Sequence, residues 1–119
     1  MGDREVAAAV DDIARGADRL KKSLDTDLKK DTAINKQARQ AFVGEVDQLS
    51  KDAKALRDRL NDGQPSSAET ARLLARATKV QAILESHKVP TSGTAWNGLT
   101  PRIQTIAGAY GLAWPPGTH

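Results

Sequence analysis

Residues 3 to 28 read DREVAAAVDDIARGADRLKKSLDTDL, and the apolar positions in that run decide the fold class. Val6, Val10, Ile13, Ala17, Leu20, Leu24 and Leu28 follow one another at spacings of four, three, four, three, four and four. A mean spacing close to one helical turn places all seven on one face of an α-helix, with Asp, Arg and Lys on the other. Asp3 is the expected N-cap, and the passage from Asp25 and Asp27 to Lys29 and Lys30 suits a helix C-terminus, where the backbone dipole favours cations.

A second stripe runs through Ile34, Ala38, Phe42, Val46, Leu49, Ala53, Leu56 and Leu60. Between the stripes lies Lys29-Lys30-Asp31-Thr32. Continuing the first stripe through it would bury both Asp27 and Asp31, so the reading is a turn, with Asp31 or Thr32 capping helix two. One continuous helix over residues 3 to 61 is the alternative, since neither Gly nor Pro occurs between Gly16 and Gly44. Helix two should stop at Asn61-Asp62-Gly63, with Pro65 beyond it. Ser66-x-x-Glu69 has the form of a capping box for helix three. Ala71, Leu74, Ala77, Val80, Ile83 and Leu84 then form its apolar positions, and it should fade near His87-Lys88 before Pro90.

The last segment is predicted to start its helix at Thr100-Pro101, because proline's missing N–H costs nothing at a first helical position. Trp96 and Leu99 would sit on a short helical turn before it. Gly111 should end the helix in a left-handed conformation with Leu112 folded back, and Trp114-Pro115-Pro116-Gly117 cannot continue it. The expected helices therefore cover residues 3 to 29, 32 to 61, 67 to 87 and 100 to 110. Short polar connections between them imply an all-α, antiparallel up-down four-helix bundle with a short fourth helix. A chain of 119 residues fits a single domain, residues 1 to 119.

Hydrophobic residues make up 39 % of the chain and charged ones 28 %, a balance that favours folding over disorder. The formal charge is +3, yet residues 1 to 30 carry seven basic and seven acidic side chains, and residues 91 to 119 carry one basic and none acidic. Without clustered Lys and Arg, no nucleic-acid partner is expected. The mixed charges read as i,i+4 pairs, Asp18 with Lys22, Asp25 with Lys29 and Asp47 with Lys51, on solvated helix faces where Asp11 and Asp52 also belong. No apolar run approaches a membrane span, and Met1-Gly2-Asp3-Arg4-Glu5 leads straight into the amphipathic pattern, unlike a signal peptide.

Chemistry is hard to find. The chain has no cysteine, which removes disulfides, thiolate metal sites and cysteine nucleophiles and is compatible with cytoplasm or periplasm. Glu85-Ser86-His87 is spaced by two, so the side chains splay apart instead of meeting at a metal, and the other histidine is His119. No Gly-x-Ser-x-Gly elbow and no phosphate loop occurs. The expectation is a protein that is not an enzyme, with no catalytic, metal or cofactor-binding residues and no cofactor.

The unusual feature is aromatic. Trp96, Tyr110 and Trp114 are three of only four aromatic residues, Phe42 being the fourth. They either plug the end of an Ala- and Leu-filled bundle or form a patch for a partner or ligand, and they are the candidate interaction site. Trp114 is expected to fold back as a partly buried lid.

Ala95-Trp96-x-x-Leu99, followed by Ile103, Ile106-Ala107, Ala109-Tyr110 and a closing Trp114, resembles the C-terminal pattern of small exported bacterial helical proteins of unknown function. The resemblance covers about a quarter of the chain. It implies a bacterial, periplasmic or secreted helical domain whose precursor carried a cleaved leader, and it transfers no catalytic residue. The functional expectation is a structural or protein-interaction module with an unidentified protein partner or self-association. The alternative is a bundle that binds a small apolar ligand or lipid near Trp96 and Tyr110.

Overall fold

Four α-helices account for the apolar periodicity in a computed structural model, which describes residues 3 to 64 and 66 to 114, the side chain of Asp3 excepted. They are α1 (Asp3–Lys29), α2 (Lys36–Asn61), α3 (Ser67–Ser86) and α4 (Pro90–Ala109), with no strand among the described residues. The expected cap at Asp3, the stop at Pro65 and the residues after Trp114 lie outside what is described.

Each helix packs on two neighbours in a ring, α1 on α2 and α4, and α3 on α2 and α4. Pairs across the seams show that every neighbour runs antiparallel. Asp11 meets Arg57 while Asp25 meets Arg39 between α1 and α2. Arg59 meets Glu69 while Glu45 meets Arg76 between α2 and α3. Ser66 meets Tyr110 and Gln81 meets Trp96 toward α4, and Asp12 with Arg102 and Asp27 with Ser92 close the ring onto α1. The result is an up-down-up-down four-helix bundle.

All seven apolar stripe positions of α1 are buried, at 5 % exposure or less. On α2, Val46, Leu49, Ala53 and Leu56 are fully buried, and Phe42 and Leu60 pack half-buried against the same core. Gly16 lets α1 and α4 approach closely, since a Cβ there would lie 2.2 Å from Leu99 Cδ2.

The break between α1 and α2 begins after Lys29, as the sequence suggests, but runs longer than expected. The turn occupies residues 30 to 35, and the N-cap is Asn35, whose side chain accepts from Ala38 N at 2.7 Å. Asp31 instead accepts from Ala33 N at 2.9 Å, an Asx turn that halts the first helix without glycine or proline. Helix two ends as expected, with Gly63 at φ +67° and a Schellman pair of bonds from Gly63 N to Leu60 O and Gln64 N to Arg59 O.

On helix three Leu74, Ala77, Val80 and Leu84 are buried as expected, and the difference lies at its start. Ala71 is exposed, and the buried positions on either side of it are Thr70 and Leu73. Thr70 tolerates burial because its hydroxyl donates to Ser66 O at 2.9 Å. The capping box does not form, since Ser66 Oγ is engaged by the Tyr110 hydroxyl and Glu69 pairs with Arg59 Nε at 3.1 Å.

The largest departure is α4, which is not short. It spans 20 residues, as α3 does, and Pro101 lies inside it. Proline removes the N–H that would bond Asn97 O, but the Thr100 hydroxyl donates to that carbonyl at 3.3 Å. The start expected at Thr100-Pro101 does not occur; a proline does open the helix, but it is Pro90, eleven residues earlier. Val89 precedes it and has no side chain able to cap. Asp27 reaches across from α1 to do so, its Oδ2 accepting from Ser92 N at 2.9 Å and Ser92 Oγ at 2.8 Å. Replacing Asp27 by Ala strands two buried donors, and we expect a loss of about 1 to 3 kcal/mol in urea unfolding. A cost no larger than that of Asp12→Ala would show that α4 starts without Asp27.

Candidate functional site

Ion pairs lace three of the four seams. Between α1 and α2 they are Asp11–Arg57, Asp18–Lys54, Lys21–Asp47 and Asp25–Arg39, at 3.0 to 3.6 Å. The expected pairs Asp25–Lys29 and Asp47–Lys51 form within their helices, at 3.0 and 3.2 Å. Asp18 turns instead to α2, meeting Lys54 at 3.6 Å and accepting from Ser50 Oγ at 2.8 Å. Arg76 ties α3 to Glu45 and Asp52 of α2, and the Glu45 hydrogen bond raises its pKa. Asp52 is therefore buried, not solvated as the charge pattern suggests, with Gln48 Nε2 donating to it at 2.9 Å.

Hydrogen bonds from the Lys21 and Lys51 ammonium groups hold the Asp47 carboxyl below the usual carboxylate range. A lowered folded-state pKa means that this contribution is complete above about pH 4 and disappears as pH falls through the folded value. Stability measured by urea between pH 5 and pH 2 should fall less steeply in Asp47→Asn than in the unaltered protein. Parallel curves would remove Asp47 from the acid limb.

The α3–α4 seam is different in kind, for among the described residues no ion pair crosses it. It is filled by indoles. Trp96, on the inner face of α4, is 4 % exposed and donates from Nε1 to Gln81 Oε1 at 3.4 Å. Trp114 is 6 % exposed and donates from Nε1 to Thr78 Oγ1 at 3.2 Å. The rings meet edge to face, with centroids 6.1 Å apart and an interplanar angle of 74°.

Trp114 reaches the seam because α4 ends in a tight reversal. Gly111 takes φ +69°, Gly111 N donates to Gly108 O at 3.1 Å, and Leu112 N donates to Ala107 O at 2.8 Å. That Schellman motif turns the chain back along α4. Gly111 is thus in its expected conformation and Trp114 is buried. The lid lies along the α3–α4 seam, not across the end of the bundle, and Leu112 is 47 % exposed instead of folded back.

The three candidate aromatics do not meet at one place. Trp96 and Tyr110 both face inward from α4, but fourteen residues separate them by about 21 Å of helix. Tyr110 stands at the bundle end, its hydroxyl hydrogen-bonded to Ser66 Oγ, beside a cleft of about 300 Å³ that Val6, Leu60 and Ala109 also line. A second cleft, about 240 Å³, continues the α3–α4 seam past Trp96, between Leu84 and Glu85 on one side and Gly93 and Asn97 on the other. Sequence reasoning missed Thr78 and Gln81, whose role depends on partners 36 and 15 residues away. It also missed Asp27, although an acid one position before Leu28 on an apolar stripe was a signal.

His87 packs against Phe42 with ring centroids 4.8 Å apart, and its Nδ1 lies 2.8 Å from Ile83 O. Among the described residues no three His, Asp or Glu side chains converge as metal ligands would, and no helix is long and apolar enough to cross a membrane. No protein-family model matches the chain, and neither a curated protein nor a solved structure matches it.

Proposed function

We propose that the protein is a non-enzymatic helical-bundle module that acts by protein interaction through the outer face of α4. The supporting observation is the division of charge: α1 has thirteen charged side chains in 27 residues, whereas α4 has one, Arg102, in 20. Burying a charged face under a partner costs desolvation, and interface cores are depleted in charge. The α4 side is the one another protein covers at least cost. Resemblance of residues 95 to 114 to exported bacterial helical proteins supports a bacterial, periplasmic or secreted setting, and the amphipathic mixing of charge supports the absence of nucleic acid.

Arginine placed at exposed Asn97 and Gln104 is expected to weaken partner capture roughly tenfold, about 1.4 kcal/mol, with unfolding unchanged. Arginine at exposed Ala55 of α2 should have no such effect. Equal losses from both faces would discard the α4 surface, and reproducible turnover in a substrate screen would discard the non-enzymatic reading.

The bundle-end cleft beside Tyr110 supports a second reading, a small apolar ligand or lipid seated against Val6, Leu60 and Ala109. A set of hydrophobic ligands would then shift aromatic emission, to which a pure interaction module would not respond.

A further inference from the structure

The chain itself closes the α3–α4 seam, and it does so with one side chain at the end of a short strap. Gly111, Leu112 and Ala113 are all exposed, so beyond the Schellman bonds to Gly108 and Ala107 the only buried side chain of the strap, among the described residues, is Trp114. The return path has little slack. From Tyr110 to Trp114 the chain spans at most about 14 Å, whereas Trp96 stands about 21 Å back along α4, and the two indoles bridge the remainder. The reversal also needs φ +69° at position 111, which is cheap for glycine and strained for other residues.

We infer that the α3–α4 groove is a receptor for a tryptophan-bearing extended segment, filled within one chain by its own Trp114, and that its external occupant is the same segment of a second copy. Two copies then exchange residues 112 to 114, each placing its indole against the other's Trp96 and Thr78. The inference stands on the seam alone and is independent of whether the outer face of α4 meets another protein.

Closed and exchanged states make the same groove contacts, so the balance between them is set by the connection. A short linker gives its own tail an effective concentration in the millimolar range, so the closed chain prevails at micromolar concentration. Any change that stops the strap from turning back hands the groove to a second copy. The groove has what such an occupant requires: an apolar edge-to-face partner in Trp96, an acceptor for the indole N–H in Thr78 Oγ1, and the adjoining 240 Å³ cleft along the same seam.

Two variants test this. Gly111→Val opposes the left-handed reversal, and Gly111→Pro fixes φ at about −65° while leaving residues 112 to 114 intact. Light scattering on a sizing column, from about 10 μM to 1 mM, should give one chain for the unaltered protein in the micromolar range. Both variants should move toward twice that mass as concentration rises, and adding Trp114→Ala should restore the single-chain mass. Should Gly111→Val lose its helical circular dichroism, Gly111→Pro decides alone. Helical variants that stay single at every concentration would overturn the inference. So would a double mass that survives Trp114→Ala.

Discussion

Leu24→Ala and Leu56→Ala are each expected to lower the unfolding free energy by about 2 to 5 kcal/mol, with Tm falling by roughly 10 to 20 °C. Both leucines are completely buried, one on α1 and one on α2, where the helices are pinned by ion pairs on the solvent side and have little freedom to collapse into a cavity. The antiparallel register sets Leu24 between the levels of Arg39 and Asp47 and Leu56 near that of Asp11, in different layers, so the two losses should add. Asp11→Ala removes only partly exposed pairs with Arg15 and Arg57, and should stay within about 0.5 kcal/mol. Urea unfolding followed by circular dichroism measures all of them. An Asp11→Ala cost equal to that of Leu24→Ala would mean that α1 turns a different face to the core.

Trp114→Ala carries the second large effect, about 2 to 4 kcal/mol, because an indole in the seam is lost together with its bond to Thr78. Removing residues 112 to 119 should cost a similar amount. In a Trp96→Phe background, acrylamide should quench the remaining indole slowly. Easy quenching with stability unchanged on truncation would put Trp114 in water and leave the α3–α4 seam open.

Periodicity made most of this bundle legible. The α1 stripe is uninterrupted from Val6 to Leu28, and every one of its positions is in the core. What periodicity could not supply was the start of α4. Thr100-Pro101 carries a genuine start signal, and the local chemistry that overrides it, a threonine hydroxyl satisfying the carbonyl that proline leaves free, is visible only once the helix is built. The true start has a capping acid 65 residues away, beyond any local rule. The same holds for the candidate site. The sequence groups Trp96, Tyr110 and Trp114 as one candidate site, and Trp96 and Tyr110 do share the inner face of α4. That face is long enough to hold them apart, and only the reversal at Gly111 chooses Trp114 as the partner of Trp96.

Whether Trp114 is seated in the α3–α4 seam in solution decides the reading of that whole side of the molecule. A nuclear Overhauser spectrum should show the Trp114 indole N–H in contact with the Thr78 side chain, 3.2 Å away between heavy atoms, and the Trp114 ring in contact with that of Trp96. A Trp114 indole with neither contact, exchanging its N–H at the rate of a free indole, would contradict it.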